Sequence, residues 1–503
     1  MAFTKTPTEQ TEKTVFVPLM HEWNTRNISN AKDVDNVNCL FEPVRNQATG
    51  DNYYEILKRD GIKISTSTGL PPSEIYGAYY WASRGSGAGT PTPWYVVIGA
   101  FGVRAYGVNW NLEASPAFAF QNTTIGVAEF LFDTGDSALF ITDGTNAALF
   151  YSFGNIVAVP AAPSPHRPYP VFLDGYLFLA DIYTGSIYNS QLNDPTVWPA
   201  GNVITAESYP DKVLALARSG QYVVALGGAS VQYFYDAANP TGTPLAAQTT
   251  VLQIGFLGGL VSYKEDLYFI GTSRNGVANL YSITGLKATA LSDVSYTRWA
   301  DTIPSTSTNV TTDNMLGFIL VLNGHACYTT NNLGTSPANP NLTYVYDLDT
   351  QLWSRLSYQN GTNMDLRSAC TTIYGPSGLR SVVTFRGSTG IFEFNADTYQ
   401  DVGVNYTVSF ITPNLDFGTY RKKFGSRIMV HADQTSSASN AFISWSDDDY
   451  QSFSTPRAIN MAGQYKQVFR LGSFRKRAFK FTYSDNFPMR WETLELDYSQ
   501  GSS

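Results

Sequence analysis

The chain has 503 residues, 33 Lys+Arg against 41 Asp+Glu, and a formal charge of −8. Charged residues make up only 15 %, against about 25 % in ordinary soluble domains, while Tyr and Phe number 32 and 30. The length exceeds one small core, the acidic balance argues against general nucleic-acid binding, and the aromatic and Gly-rich composition argues for an all-β chain with many turns.

The N-terminal stretch MAFTKTPTEQTEKTVF has no apolar core of signal-peptide length, and no run reaches the roughly 18 apolar residues of a membrane helix. Synthesis in a cytoplasm without membrane insertion is the expectation. Residues 1–60 are polar and Asn-rich in their middle part and read as an extended arm or a strand donor. Cys39, Cys327 and Cys370 are an odd, widely spaced set, and His21, His166, His325 and His431 are scattered. Neither a disulfide framework nor a zinc site is expected, and the thiols read as buried.

Short apolar hairpins then recur. They begin at Trp94, Ser137, Tyr176, Tyr222, Leu267, Phe318 and Ser381, at intervals of 43, 39, 46, 45, 51 and 63 residues. A period of about 45 residues, with about four strands per unit, predicts a β-propeller over 61–403. The count favours seven blades and permits six. From Val404 to Ser503, alternating apolar and polar segments predict a β-sandwich.

Catalytic patterns are missing. There is no GxSxG, HExxH or P-loop, and no enzyme activity, cofactor or metal is expected. Asp181, Asp266, Asp347 and Glu393 lie in or beside hairpins, but nothing in the sequence pairs them as glycoside hydrolysis requires. SDDDYQSF, Ser446 to Phe453, has the spacing of the Asp-box of sialidase propellers; such a turn is expected to cap its own backbone.

Residues 418–480 hold 11 Lys/Arg and 4 Asp/Glu, a local +7, so the remainder sums to −15 (−8 minus +7). Arg470, Arg475, Lys476, Arg477 and Lys480 form the densest part of this excess. The run reads as a strand at a sandwich rim, with Arg475, Arg477 and Phe479 on one face and Lys476 and Lys480 on the other. A contact with an acidic protein partner through that rim is the expected role; a solvated face is the plainer reading.

The arm carries EWNTRN, VDNVNCLFEP and KRDGI. The propeller carries QYVVALGGASVQYFYD and GFLGGLVSYKEDLYFIGTSRNGVANLYSITG. The C-terminal end carries ISWSDDDYQSFSTPRAI and FRLGSFRKRAFKFTYSDNFPMRWETLELDY. In this order the stretches give a resemblance to the packaged-DNA stabilisation, or tail nozzle, proteins of short-tailed bacteriophages. It implies a virion structural protein forming a homo-oligomeric, six-fold ring below the portal adaptor protein. That ring would extend the DNA channel, retain packaged DNA and carry further tail proteins (fibre, spike or needle). Double-stranded DNA would pass without sequence-specific binding, and an acidic lining would let it slide. The alternatives are a carbohydrate-binding or carbohydrate-cleaving receptor-recognition propeller and an intracellular scaffold.

Overall fold

The computed structural model describes residues 12–17, 36–45, 52–71, 75–84, 92–273, 278–291, 315–332, 343–359, 364, 366–373, 379–385 and 387–501. EWNTRN, within the proposed arm, lies outside them. Among the described residues no helix is long and apolar enough to cross a membrane. The chain folds as two compact units, one of Met1–Ile62, Tyr344–Asn363 and Asn395–Ser503, the other of Lys63–Thr343 and Met364–Phe394.

The second unit is a β-propeller. Five four-stranded antiparallel sheets follow in chain order, with first strands Ile75–Trp81, Gly126–Leu131, Val171–Leu173, Val213–Ser219 and Ile254–Tyr263. A sixth sheet begins with Met315–Leu322 and His325–Asn332, and a seventh with Leu366–Ile373, Leu379–Phe385 and Gly390–Asn395. The outer strand of the seventh is Gly61–Ser67. It comes from the opposite end of the propeller sequence, so the circle closes by joining distant parts of the chain. Leu366–Ile373 packs against Ile75–Trp81, which completes the ring. Seven sheets are therefore described, the higher of the two expected counts.

Most of the sequence hairpins prove to be the second and third strands of a sheet, such as Ser137–Thr142 with Ala147–Tyr151. These middle strands are the most apolar because neighbouring sheets cover both faces, as at Leu139, Phe140 and Ile141. The hairpin at Phe318 differs: it is a first and second strand, which explains the uneven last intervals. First strands approach closely where side chains are absent. A Cβ at Gly317 would lie 2.0 Å from the Gly259 carbonyl oxygen. Near the centre of the ring a pocket of about 210 Å³ is lined by Tyr76, Tyr169, Met315, Phe318 and Arg367, among others.

The first unit is a two-sheet sandwich. One sheet runs Cys39–Arg45, Asn52–Lys58, Arg490–Gln500, Lys423–Ala432, Gln467–Phe474, and Glu12–Val17 also pairs with Arg490–Gln500. The facing strands run Trp353–Leu356, Asn36–Val37, Val408–Ile411, Ala478–Tyr483, Asn440–Ser446, Arg457–Asn460. Between them, Trp491 stands edge-on to Phe410 and Phe481, at centroid distances of 5.1 and 4.9 Å. The N-terminal segment is thus no separate arm in its described part. Val17, Cys39, Phe41 and Ile56 supply the sandwich core, and their apolar side chains are buried only when these strands pair there. Residues 344–363, expected within the propeller, also belong to this unit. Cys39 and Cys327 are buried thiols outside any disulfide, and Cys370 is half-buried.

Candidate interaction surface and buried charge centre

The basic run does not lie on one strand. Gln467–Phe474 ends, a turn carries Arg475 and Lys476, and Ala478–Tyr483 begins. Strand alternation therefore holds from Arg477 onward and fails before it. Ser446 pairs with Ala478, so the turn after Ser446 sits beside the turn before Ala478. The three aspartates of that acidic turn divide the work. Asp447 takes Arg477 through two bonds of 2.7 Å, from Nε and Nη2. Asp449 pairs with Lys476. Asp448 accepts from the Ser446 hydroxyl, the Ser452 amide and the Ser452 hydroxyl. Those hydrogen bonds hold its carboxyl down at about 2. The Asp-box spacing marks a self-capping turn, as expected.

Arg477 is 1 % exposed. Its Nη1 donates to the Leu471 carbonyl at 2.7 Å, and its guanidinium lies 4.2 Å from the Phe474 ring. It holds the sandwich together and is removed from the expected contact set. Lys480 is half-buried, with Nζ 5.6 Å from the Phe453 ring. Lys423, not singled out by the sequence reading, is buried and donates to the carbonyls of Thr419, Arg421 and Arg475. Its burial lowers its pKa.

Arg470 and Arg475 remain exposed. Arg470 has φ 58, in a strand whose pairing shifts register, and Phe469 beside it is 53 % exposed. Arg475 Nη1 donates to the Tyr420 carbonyl at 2.8 Å. That bond brings Arg475 to Tyr420, itself 62 % exposed, and to exposed Arg421 and Lys422. Exposed Arg and Tyr together are the composition of protein contact centres. TYRKKF, Thr419 to Phe424, carries the signal in the sequence, where the denser run at 475–477 overshadows it.

A second centre lies inside the same unit. Arg59 and Asp401 form a fully buried ion pair, Nη2 to Oδ2 2.7 Å and Nη1 to Oδ1 3.0 Å. Arg59 also donates to the Ser357 and Asp60 carbonyls and, through Nε, to Asn38 Oδ1. Asn38, at φ 58, donates to Ser357 Oγ and the Thr407 carbonyl. The Tyr406 hydroxyl donates to the Arg59 carbonyl, and its ring stacks 3.8 Å from the guanidinium. Four distant stretches meet at this cluster.

Lys58 stands next to it. Its Nζ donates to the Asp485 carbonyl at 2.7 Å and faces the rings of Tyr406, Tyr483 and Tyr399 at 4.5, 5.3 and 5.9 Å. Burial, with the neighbouring Arg59 charge, pushes its ammonium down to about 7; the acids Asp401 and Asp485 oppose the shift. An unfolded lysine titrates near about 10.4. Between these values the unfolded chain holds more protons, so the stability of this unit rises with pH from about 7 towards 10. Below about pH 7 both states are protonated and the burial penalty is complete. Lys58→Met is expected to flatten that rise, measured as urea midpoints at about pH 7 and about pH 9.5. An equal rise in variant and wild type would contradict the assignment.

The carboxylates considered as a catalytic pair act locally where the structure describes them. Asp181 Oδ1 accepts the amides of Tyr183 and Thr184 at 2.7 Å, and Asp347 Oδ1 accepts that of Asp349 at 2.9 Å. Both are turn caps.

Residues 134–299 match the phage stabilisation family described as Bacteriophage P22 Gp10, beta-propeller. No curated protein matches. Among solved structures, the chain is similar to a catalytically inactive virginiamycin B lyase from Staphylococcus aureus with quinupristin. That similarity has 9 % identity and a TM-score of 0.42, over 66 % of this chain and 98 % of that one. It is also similar to the Neurospora crassa Pan2 WD40 domain, with 10 % identity and a TM-score of 0.39, over 67 % and 95 %.

Proposed function

We propose that this chain, a phage structural protein carrying the DNA-stabilisation propeller over residues 134–299, is a tail nozzle subunit. In this reading copies form a ring, six-fold by resemblance, below the portal adaptor. The ring extends the DNA channel, retains packaged DNA and attaches further tail proteins. The family match carries the proposal.

The physical chemistry is consistent with it. The pocket near the propeller centre, about 210 Å³, is far too small for a duplex whose major groove alone is about 12 Å wide. In this reading DNA passes between copies rather than through any one propeller. The balance of −15 outside residues 418–480 suits a wall that repels phosphate and releases the duplex readily. The exposed set of Tyr420, Arg421, Lys422 and Arg475 offers an acidic neighbour a compact docking point.

The direct test is to omit the chain from infection. Heads are expected to fill and then lose their DNA, read as a rise in nuclease-sensitive genome after lysis. Heads that stay full and nuclease-resistant without it contradict the retention role.

A further inference from the structure

We infer that the propeller carries a binding site for an uncharged or amino saccharide at the edge of its third and fourth sheets. A pocket of about 280 Å³ is lined there by Asp174, Gln221, Tyr222, Tyr235, Asp236 and Gln248. Asp174 occupies the turn between Val171–Leu173 and Tyr176–Ala180, at φ 49. Gln221 sits in the turn before Tyr222–Gly227, and Tyr235 and Asp236 end Val231–Asp236. Turns and strand ends of a rigid sheet hold these groups in place, so little ordering is needed on binding.

The mixture selects the ligand class. Carboxylates accept hydrogen bonds from adjacent sugar hydroxyls, and carboxamides both donate and accept. Tyr235 is 39 % exposed, which leaves a ring surface for the apolar C–H face of a pyranose. Gln221 Nε2 already donates to the Tyr222 hydroxyl at 3.2 Å, fixing that amide's orientation. Among the described residues the lining holds two carboxylates and no cation, which disfavours phosphate, uronate and nucleic acid.

A second opening shares the aromatic part of that chemistry and adds Arg84, whose guanidinium is engaged by the Thr92 and Ser152 carbonyls. Turns of the same kind in the first two sheets line a pocket of about 550 Å³ that includes Phe132, Tyr151 and Phe153. The Tyr151 ring lies between those of Phe132 and Phe153, at interplanar angles of 11° and 17°, and Phe153 is 70 % exposed. The end of this stack is a second aromatic platform at the strand turns, as a longer saccharide would use. The inference is independent of the nozzle reading.

Saturation-transfer NMR on the full chain, with glucan, mannan, galactan and chitin oligosaccharides at millimolar concentration, tests it. At least one is expected to bind, with Tyr235→Ala and Asp236→Asn each weakening it tenfold or more. Tyr465→Ala, on the other unit, is expected to leave it unchanged. Heparin oligosaccharide is expected not to bind. Silence across the panel, equal binding by the variants, or equal binding of heparin would overturn the inference. So would a tail protein that binds in place of any sugar and is lost in Tyr235→Ala.

Discussion

Asp401→Asn is expected to lower the stability of the sandwich unit by about 3–5 kcal/mol, the usual effect of removing one partner of a buried ion pair. The amide keeps the shape of the carboxylate but not its charge. Arg59 would then remain buried, with its guanidinium facing Asn38 Oδ1, two backbone carbonyls and the Tyr406 ring. Those dipoles orient the cation without neutralising it. The double change Arg59→Met with Asp401→Leu removes both charges and is expected to cost less than the single one. Urea unfolding followed by tryptophan fluorescence reads the effect. Where unfolding shows more than one transition, only the one shifted by Asp401→Asn bears on the claim. A shift within about 1 kcal/mol would mean that water reaches the pair and that the cluster does not bind the four chain stretches as described.

Arg421→Glu with Arg475→Glu is expected to abolish tail assembly while leaving the fold intact. Both side chains are exposed, and the folded chain loses only the bond from Arg475 to the Tyr420 carbonyl. Against an acidic partner, two reversed charges turn attraction into repulsion worth several kcal/mol, and each ~1.4 kcal/mol is tenfold in affinity. Infectious titre is expected to fall about 100-fold or more, with the melting curve of the purified chain unchanged. Arg477→Leu is the contrast. It leaves Asp447 without its two-pronged partner and the Leu471 carbonyl without its donor, so it should impair folding first. A normal titre from the double reversal would remove this surface from the assembly.

The propeller is legible in the sequence because its middle strands are short, apolar and regularly spaced, and their burial comes from neighbours that repeat. The self-capping turn at Asp448 is legible because all its bonds are local. The Arg59–Asp401 pair is not, since its partners lie 342 residues apart and neither position is unusual on its own. KRDGI and VDNVNCLFEP mark the resemblance without giving a reason for it. The structure supplies one, as Lys58, Arg59 and Asn38 from those stretches meet in one buried cluster. The basic run is misplaced by its sequence for a related reason. Period-two alternation, carried through a turn, gives the wrong faces, and nothing local in FRLGSFRKRAF signals that Asp447 and Asp449 will neutralise its centre.

The nozzle assignment meets its sharpest test in quantitative mass spectrometry of purified particles. A fixed, low number of copies per portal is expected, present on tailed particles and missing from heads without tails. Particles that infect normally and contain none of this chain would contradict it.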